Sequence, residues 1–135
     1  MRLKIFYLCV ENAGRSQMAE AFFKKYSKNQ FNIISAGTSP SSNLNPVVVS
    51  VMAEIGIDLQ NQQPQLLSPS MIKNSNKTVN MGCIDKKSCP SLFVKHVDDW
   101  NIDDPKGKSI EYVRKIRDQI KNDVLNLLDS LESDD

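Results

Sequence analysis

Leu3-Lys4-Ile5-Phe6-Tyr7-Leu8, running into Cys9-Val10-Glu11-Asn12-Ala13-Gly14-Arg15-Ser16, decides how this chain is read. Residues 3–8 are apolar apart from Lys4, which is the pattern of a strand buried on both faces, as in a parallel sheet. Over residues 15–28, Met18, Ala19, Phe22, Phe23 and Tyr26 recur at helical spacing, while Lys24, Lys25 and Lys28 give a basic outer side. Between strand and helix stand a cysteine, five residues and an arginine. So short a connection can curl until successive N–H groups point at one spot, which makes an anion cradle. The helix that follows adds its free N–H groups and the positive end of its dipole. Arg15 offers a planar fork matched to a tetrahedral oxyanion. Cys9 then lies on the floor of an electropositive pocket, the setting that favours a thiolate nucleophile.

Outward from that stretch the chain alternates. Residues 31–35 read as a short strand, ended by Ala36-Gly37, and residues 38–46 as a polar loop. Asn45-Pro46 opens a helix, with Asn as N-cap and Pro at the first helical position, which Gly56 stops. Residues 61–70 are loop-like, and residues 70–74 form one helical turn. Residues 77–81 and 93–97 read as further strands. Residues 100–107 form a loop, and residues 109–131 a long amphipathic helix with Val113, Ile116, Ile120 and Val124 on one face. Strands alternating with helices predict an α/β sheet whose ligands sit beyond the carboxyl ends of the strands. Cys9, Cys83 and the Asp103-Asp104 loop all follow predicted strands and can converge on that edge.

Composition bounds the function. The 135 residues, 40% hydrophobic and 24% charged, predict one globular domain over residues 1–135. A net charge of +1 provides no global field for nucleic acid or an anionic membrane. No apolar run approaches the roughly 20 residues that span a bilayer. Three cysteines, an odd number with no secretion signal, predict a reducing compartment, hence the cytoplasm. Cys83 and Cys89 can be inert thiols, zinc ligands together with His96, or a redox pair. Asp103-Asp104-Pro105 can be a capping turn or the source of a catalytic acid.

Cys9, five residues, then Arg15-Ser16-Gln17-Met18-Ala19-Glu20 resembles the signature of the low-molecular-weight protein tyrosine phosphatase family. With the Cys83/Cys89 pair, the chain is similar to the thioredoxin-coupled arsenate reductases built on that fold. The likeness continues through Ser35-Ala36-Gly37, Asn45-Pro46 and Trp100 to Pro105. It implies a single-domain, three-layer α/β/α fold around a four-stranded parallel sheet. Arsenate or phosphate would be held by the backbone N–H groups of Val10, Glu11, Asn12, Ala13, Gly14 and Arg15, and by the Arg15 side chain. Cys9 would attack, Ser16 would hydrogen-bond its thiolate, and Asp104 would protonate the leaving oxygen, with Asp103 as second choice.

For arsenate reduction the resemblance implies a relay from Cys9 to Cys83 to Cys89 and a thioredoxin-like reductant. The alternative activity is hydrolysis of phosphotyrosine or a small phosphoester by Cys9, Arg15 and Asp104. Either is implied for a monomer without nucleic acid, membrane, catalytic metal or tightly bound cofactor. Family members that bind potassium use an Asn, a Glu, a Ser and an Asp. Asn12, Glu20 and Ser35 match, and Gln65 stands in place of the Asp. Lys106 stands where phosphatase members carry a Tyr after Asp-Pro, Gly14 where many members have a second Cys. Glu11, in an anion loop, must point its carboxylate away from the oxyanion.

Overall fold

The structure is a computed structural model and describes residues 3–27, 31–82 and 97–133. The elements run β1 (Leu3–Cys9), α1 (Arg15–Tyr26), β2 (Phe31–Gly37), α2 (Pro46–Ala53), α3 (Pro69–Lys73), β3 (Lys77–Asn80), β4 (Val97–Asp99) and α4 (Ile110–Ser133). The four strands form one sheet in the order β2-β1-β3-β4, every pairing parallel. From β1 the chain first adds a strand on one side and later two on the other. The carboxyl end of β1 is therefore a topological switch point, the place where open α/β sheets leave a crevice for a ligand.

Alternation along β1 decides what each face packs against. Ile5, Tyr7 and Cys9 enter the main core with Met18, Phe22 and Phe23 of α1, Val48, Val51 and Met52 of α2, and Val113, Ile116, Ile120 and Val124 of α4. Phe6 and Leu8 point the other way and, with Ala36, pack under Leu67, Met71 and Ile72 around α3. The result is the three-layer α/β/α arrangement expected, with the second face covered by one short helix. Ile57 and Leu59, just past the Gly56 stop, are also buried, although only a helix end is legible there.

Two helix starts follow the sequence signals. Asn45 caps α2, its Oδ1 accepting from Val47 N at 2.9 Å, with Pro46 in the first turn. α1 begins at Arg15 with Gly14 as N-cap and no side-chain cap. The expected fourth strand, 93–97, and the described one share Val97. Residues 93–96 fall outside those described, and the described strand runs on through Asp98 and Asp99. Charged residues are accommodated there because this is an edge strand and each finds a partner. Lys77 Nζ meets Asp98 Oδ2 at 2.6 Å, and Asn80 Nδ2 donates to Asp99 Oδ1 at 3.0 Å.

Candidate active site

The loop between β1 and α1 turns its carbonyls outward. Cys9 O accepts from Thr38 N (3.3 Å), Val10 O from Ser39 N (2.8 Å), Glu11 O from Ser41 N (2.9 Å) and Ala13 O from Asn45 N (2.9 Å). Asn12 O accepts from Gln17 Nε2 (2.9 Å), and Gly14 O from Met18 N in the helix (2.9 Å). In planar trans peptides the N–H lies opposite the C=O, so the loop's donors face the other way, toward the crevice. Residues 38–45, read from sequence only as a polar loop, are thus the outer brace of the anion cradle.

Asn12 pins the loop from within. It is fully buried, and its φ of 50° lies in the left-handed region, where Asn is among the few tolerated side chains. Its Nδ2 donates to Ser16 Oγ (2.7 Å) and Ser35 Oγ (3.0 Å), and its Oδ1 accepts from Gln65 N (2.9 Å) and Gln17 Nε2 (3.1 Å). Because Ser16 Oγ already accepts from Asn12, its own O–H is available to Cys9 Sγ, 2.9 Å away. Ser16 therefore serves the sulfur and does not cap the helix. Gln17 and Gln62, which sequence did not single out, complete the brace: Gln62 Nε2 donates to Gln17 Oε1 at 2.6 Å.

A cavity of about 380 Å³ opens above this loop, lined by Cys9, Glu11, Arg15, Asn45, Asp104 and Lys106 among others. Cys9 is a buried free thiol. The Arg15 side chain, almost fully buried, donates from Nη1 to Ile102 O (3.1 Å) and holds Nη2 3.8 Å from Asp104 Oδ2. Gly82, at the carboxyl end of β3, has φ 135° and lies so close to the guanidinium that a Cβ there would collide with it. The 100–107 loop is anchored by Trp100, whose ring centroid sits 5.5 Å from that of Tyr7 in the core, and by buried Ile102. It touches the anion loop where Pro105 lies over Gly14; a Cβ on Gly14 would come 2.9 Å from Pro105 Cγ.

The two neighbouring aspartates are separated by this geometry. Asp104 lines the cavity; its Oδ1 accepts from Lys106 N (3.0 Å), as a turn-forming Asp does, and its Oδ2 faces Arg15. Asp103 accepts a hydrogen bond from the Tyr112 hydroxyl of α4, which pushes the tyrosine pKa above its ordinary value. The turn at Asp104 caps no helix, since α4 starts only at Ile110, and of the two aspartates Asp104 is the one that lines the cavity. Across the cavity, Lys106 Nζ meets Glu11 Oε2 at 3.0 Å, so the Glu11 carboxylate is engaged by an ammonium. That bond, with a smaller contribution from Asp104, holds the Lys106 pKa above the usual lysine value.

Below the loop, Glu20 Oε1 accepts from Ser35 Oγ and Oε2 binds Lys24 Nζ, each at 2.6 Å. Gln65 donates through Nε2 to Ser35 O at 2.7 Å. Cys83, Cys89 and His96 lie outside the described residues, and so does the relay assigned to the two cysteines. Among the described residues no group of three or more His, Cys, Asp or Glu is placed to hold a metal ion, and no helix is long and apolar enough to cross a membrane.

The parallel sheet, the switch-point crevice and the cysteine–arginine loop with an aspartate opposite define an α/β enzyme that works on tetrahedral oxyanions. The chain belongs to the low molecular weight phosphotyrosine protein phosphatase family, whose model matches residues 4–135. It is 36% identical to the arsenate reductase of Staphylococcus aureus over 118 residues, covering 87% of this chain and 89% of that one. It is also 37% identical over 139 residues to a Halobacterium salinarum protein provisionally named as an arsenate reductase, covering 98% of this chain and 95% of the relative. Among solved structures it is similar to the thioredoxin-dependent arsenate reductase of Corynebacterium glutamicum, with a TM-score of 0.83 and 29% identity. That likeness covers 99% of this chain and 64% of the other.

Proposed function

We propose that this protein reduces arsenate to arsenite, with Cys9 as nucleophile and a thioredoxin-like protein as the electron source. The observation that carries the chemistry is the convergence on one cavity of the Cys9 thiol, the Arg15 guanidinium and the Asp104 carboxyl, above a loop whose carbonyls all point away. Arsenate rests on the loop N–H groups and the Arg15 fork. The Cys9 thiolate attacks arsenic, and an oxygen leaves as water once Asp104 has supplied a proton. Ser16 holds the sulfur in place.

Reduction needs two electrons. A Cys83 thiolate attacks Cys9 Sγ, the sulfur–arsenic bond breaks, and arsenic departs as arsenite with the bonding pair, leaving a Cys9–Cys83 disulfide. Cys89 then attacks Cys83, frees the Cys9 thiolate and carries the disulfide outward to the reductant. Gly82, the residue before Cys83, stands against Arg15 at the cavity, which supports Cys83 as the thiol that meets Cys9. The named relatives support arsenate as the oxyanion.

Phosphoester hydrolysis is the second reading. The Cys9, Arg15 and Asp104 set is sufficient for it without any other cysteine, and the family is one of phosphatases. No potassium ion is needed in this scheme. The Lys24 ammonium binds Glu20 and the Gln65 amide binds the Ser35 carbonyl, contacts that argue against a potassium ion at this set. The deciding experiment is arsenate-dependent NADPH oxidation with thioredoxin and its reductase, run beside hydrolysis of p-nitrophenyl phosphate. Arsenate turnover that Cys83→Ser abolishes supports the reductase. Hydrolysis without arsenate turnover in the wild type leaves the phosphatase.

A further inference from the structure

Two opposite charges span the mouth of the cavity, and the scheme above uses neither side chain. Glu11 lies in the anion loop. Lys106 lies on the facing loop, just beyond Asp104-Pro105. Both line the cavity and their side chains meet at 3.0 Å. Cys9 on the floor is 2% exposed, whereas the Glu11 and Lys106 side chains are 33% and 71% exposed, which puts the pair at the rim. An isolated carboxylate at that place would repel an incoming dianion, and an ammonium bonded to it cancels most of its field. The pair also ties together the two walls of the cleft, which touch lower down at Gly14 and Pro105. A compact tetrahedral anion lies beneath this tie. An aryl group carried by the anion has to pass through the rim and displace it.

We infer that Lys106, through its ion pair with Glu11, is the specificity-determining residue of this site, admitting compact inorganic oxyanions ahead of aryl phosphoesters. This rests on the cavity being an oxyanion site, and needs no assumption about reduction. The test is calorimetric binding of inorganic phosphate and of phenylphosphonate, two unreactive oxyanions that differ by the ring. The proteins compared are the wild type, Lys106→Ala and Lys106→Arg, at about 0.02 M and about 0.5 M sodium chloride, where screening is weak and strong.

Lys106→Ala is expected to weaken phosphate binding about three- to tenfold at low salt, because Glu11 is left uncompensated, with most of the loss gone at high salt. The ratio of phenylphosphonate Kd to phosphate Kd should fall about two- to fivefold in that variant, the range of an exposed ion pair. Lys106→Arg, which keeps the charge and the pairing, should match the wild type in both respects. An unchanged ratio in Lys106→Ala, or an arginine variant that behaves like alanine, overturns the inference. A wild type that binds neither anion overturns the oxyanion site and the inference with it. The expected ratio shift in a protein that fails to reduce arsenate overturns the reductase alone and leaves the role of Lys106 standing.

Discussion

Replacing Asn12 by alanine removes the side chain that holds the anion loop to the rest of the molecule. Four hydrogen bonds go with it, to Ser16 and Ser35 and from Gln65 N and Gln17 Nε2. At a net value of about 0.5–1.5 kcal/mol each they amount to roughly 2–6 kcal/mol. The left-handed φ of 50° costs alanine about 1 kcal/mol more. Gln17 keeps a partner in Asn12 O, which places the sum near the middle of that range, about 4 kcal/mol. Such a loss is a large part of the roughly 5–15 kcal/mol that stabilises a domain. Asn12→Gly loses the same bonds without the backbone penalty, and should be about 1 kcal/mol more stable than Asn12→Ala. Urea titration reads the stability, and calorimetric titration with phosphate reads the cradle, which should weaken in both variants. A loss below about 1 kcal/mol in Asn12→Ala, or a glycine variant less stable than the alanine one, would refute the pinning role.

Asp104→Asn should slow formation of the Cys9 adduct about 10²–10⁴-fold, and Asp103→Asn far less, because Asp103 is turned to Tyr112; rapid-quench kinetics with both variants would expose the reverse ranking. Arg15→Lys should weaken phosphate binding and turnover together, since a point charge cannot reproduce the planar fork, and binding titrations beside kinetics check it. Gly82→Ala should also weaken phosphate binding, by driving the guanidinium off its seat, while leaving the far-ultraviolet circular dichroism unchanged. Melting temperatures of the wild type should be equal in potassium and tetramethylammonium chloride, and Lys24→Met should melt lower by stranding the Glu20 carboxylate; stabilisation of the wild type by potassium would contradict the part given to Lys24.

The cradle was legible because its signals are local. An apolar run ending in Cys9, an arginine after five residues and a helical stripe of Met18, Phe22 and Phe23 specify strand, turn and helix with no long-range information. Asn45-Pro46 was legible for the same reason. What escaped acts through the backbone or across the fold. Residues 38–45 contribute mainly N–H groups, which any sequence carries, so their bracing of the anion loop leaves no residue signature. The run of β4 on through Asp98 and Asp99 was not legible, because these two suit a strand only beside Lys77 and Asn80. Asp104 already stood ahead of Asp103 on the resemblance, but the Tyr112 hydroxyl that engages Asp103, nine residues away along the chain, is visible only in the fold. Glu11 looked out of place in an anion loop until Lys106, 95 residues later, supplied its partner.

Three thiols acting in sequence are what separate a reductase from a phosphatase built on the same loop. Reduced protein given one equivalent of arsenate, with no thioredoxin, should release one arsenite and become one disulfide richer. Peptide mass mapping should then find Cys83 joined to Cys89 and Cys9 free, and in the Cys89→Ser variant Cys9 joined to Cys83. Arsenite released while Cys83 stays a free thiol would contradict the relay, and no arsenite released while p-nitrophenyl phosphate is hydrolysed would contradict arsenate reduction by this protein.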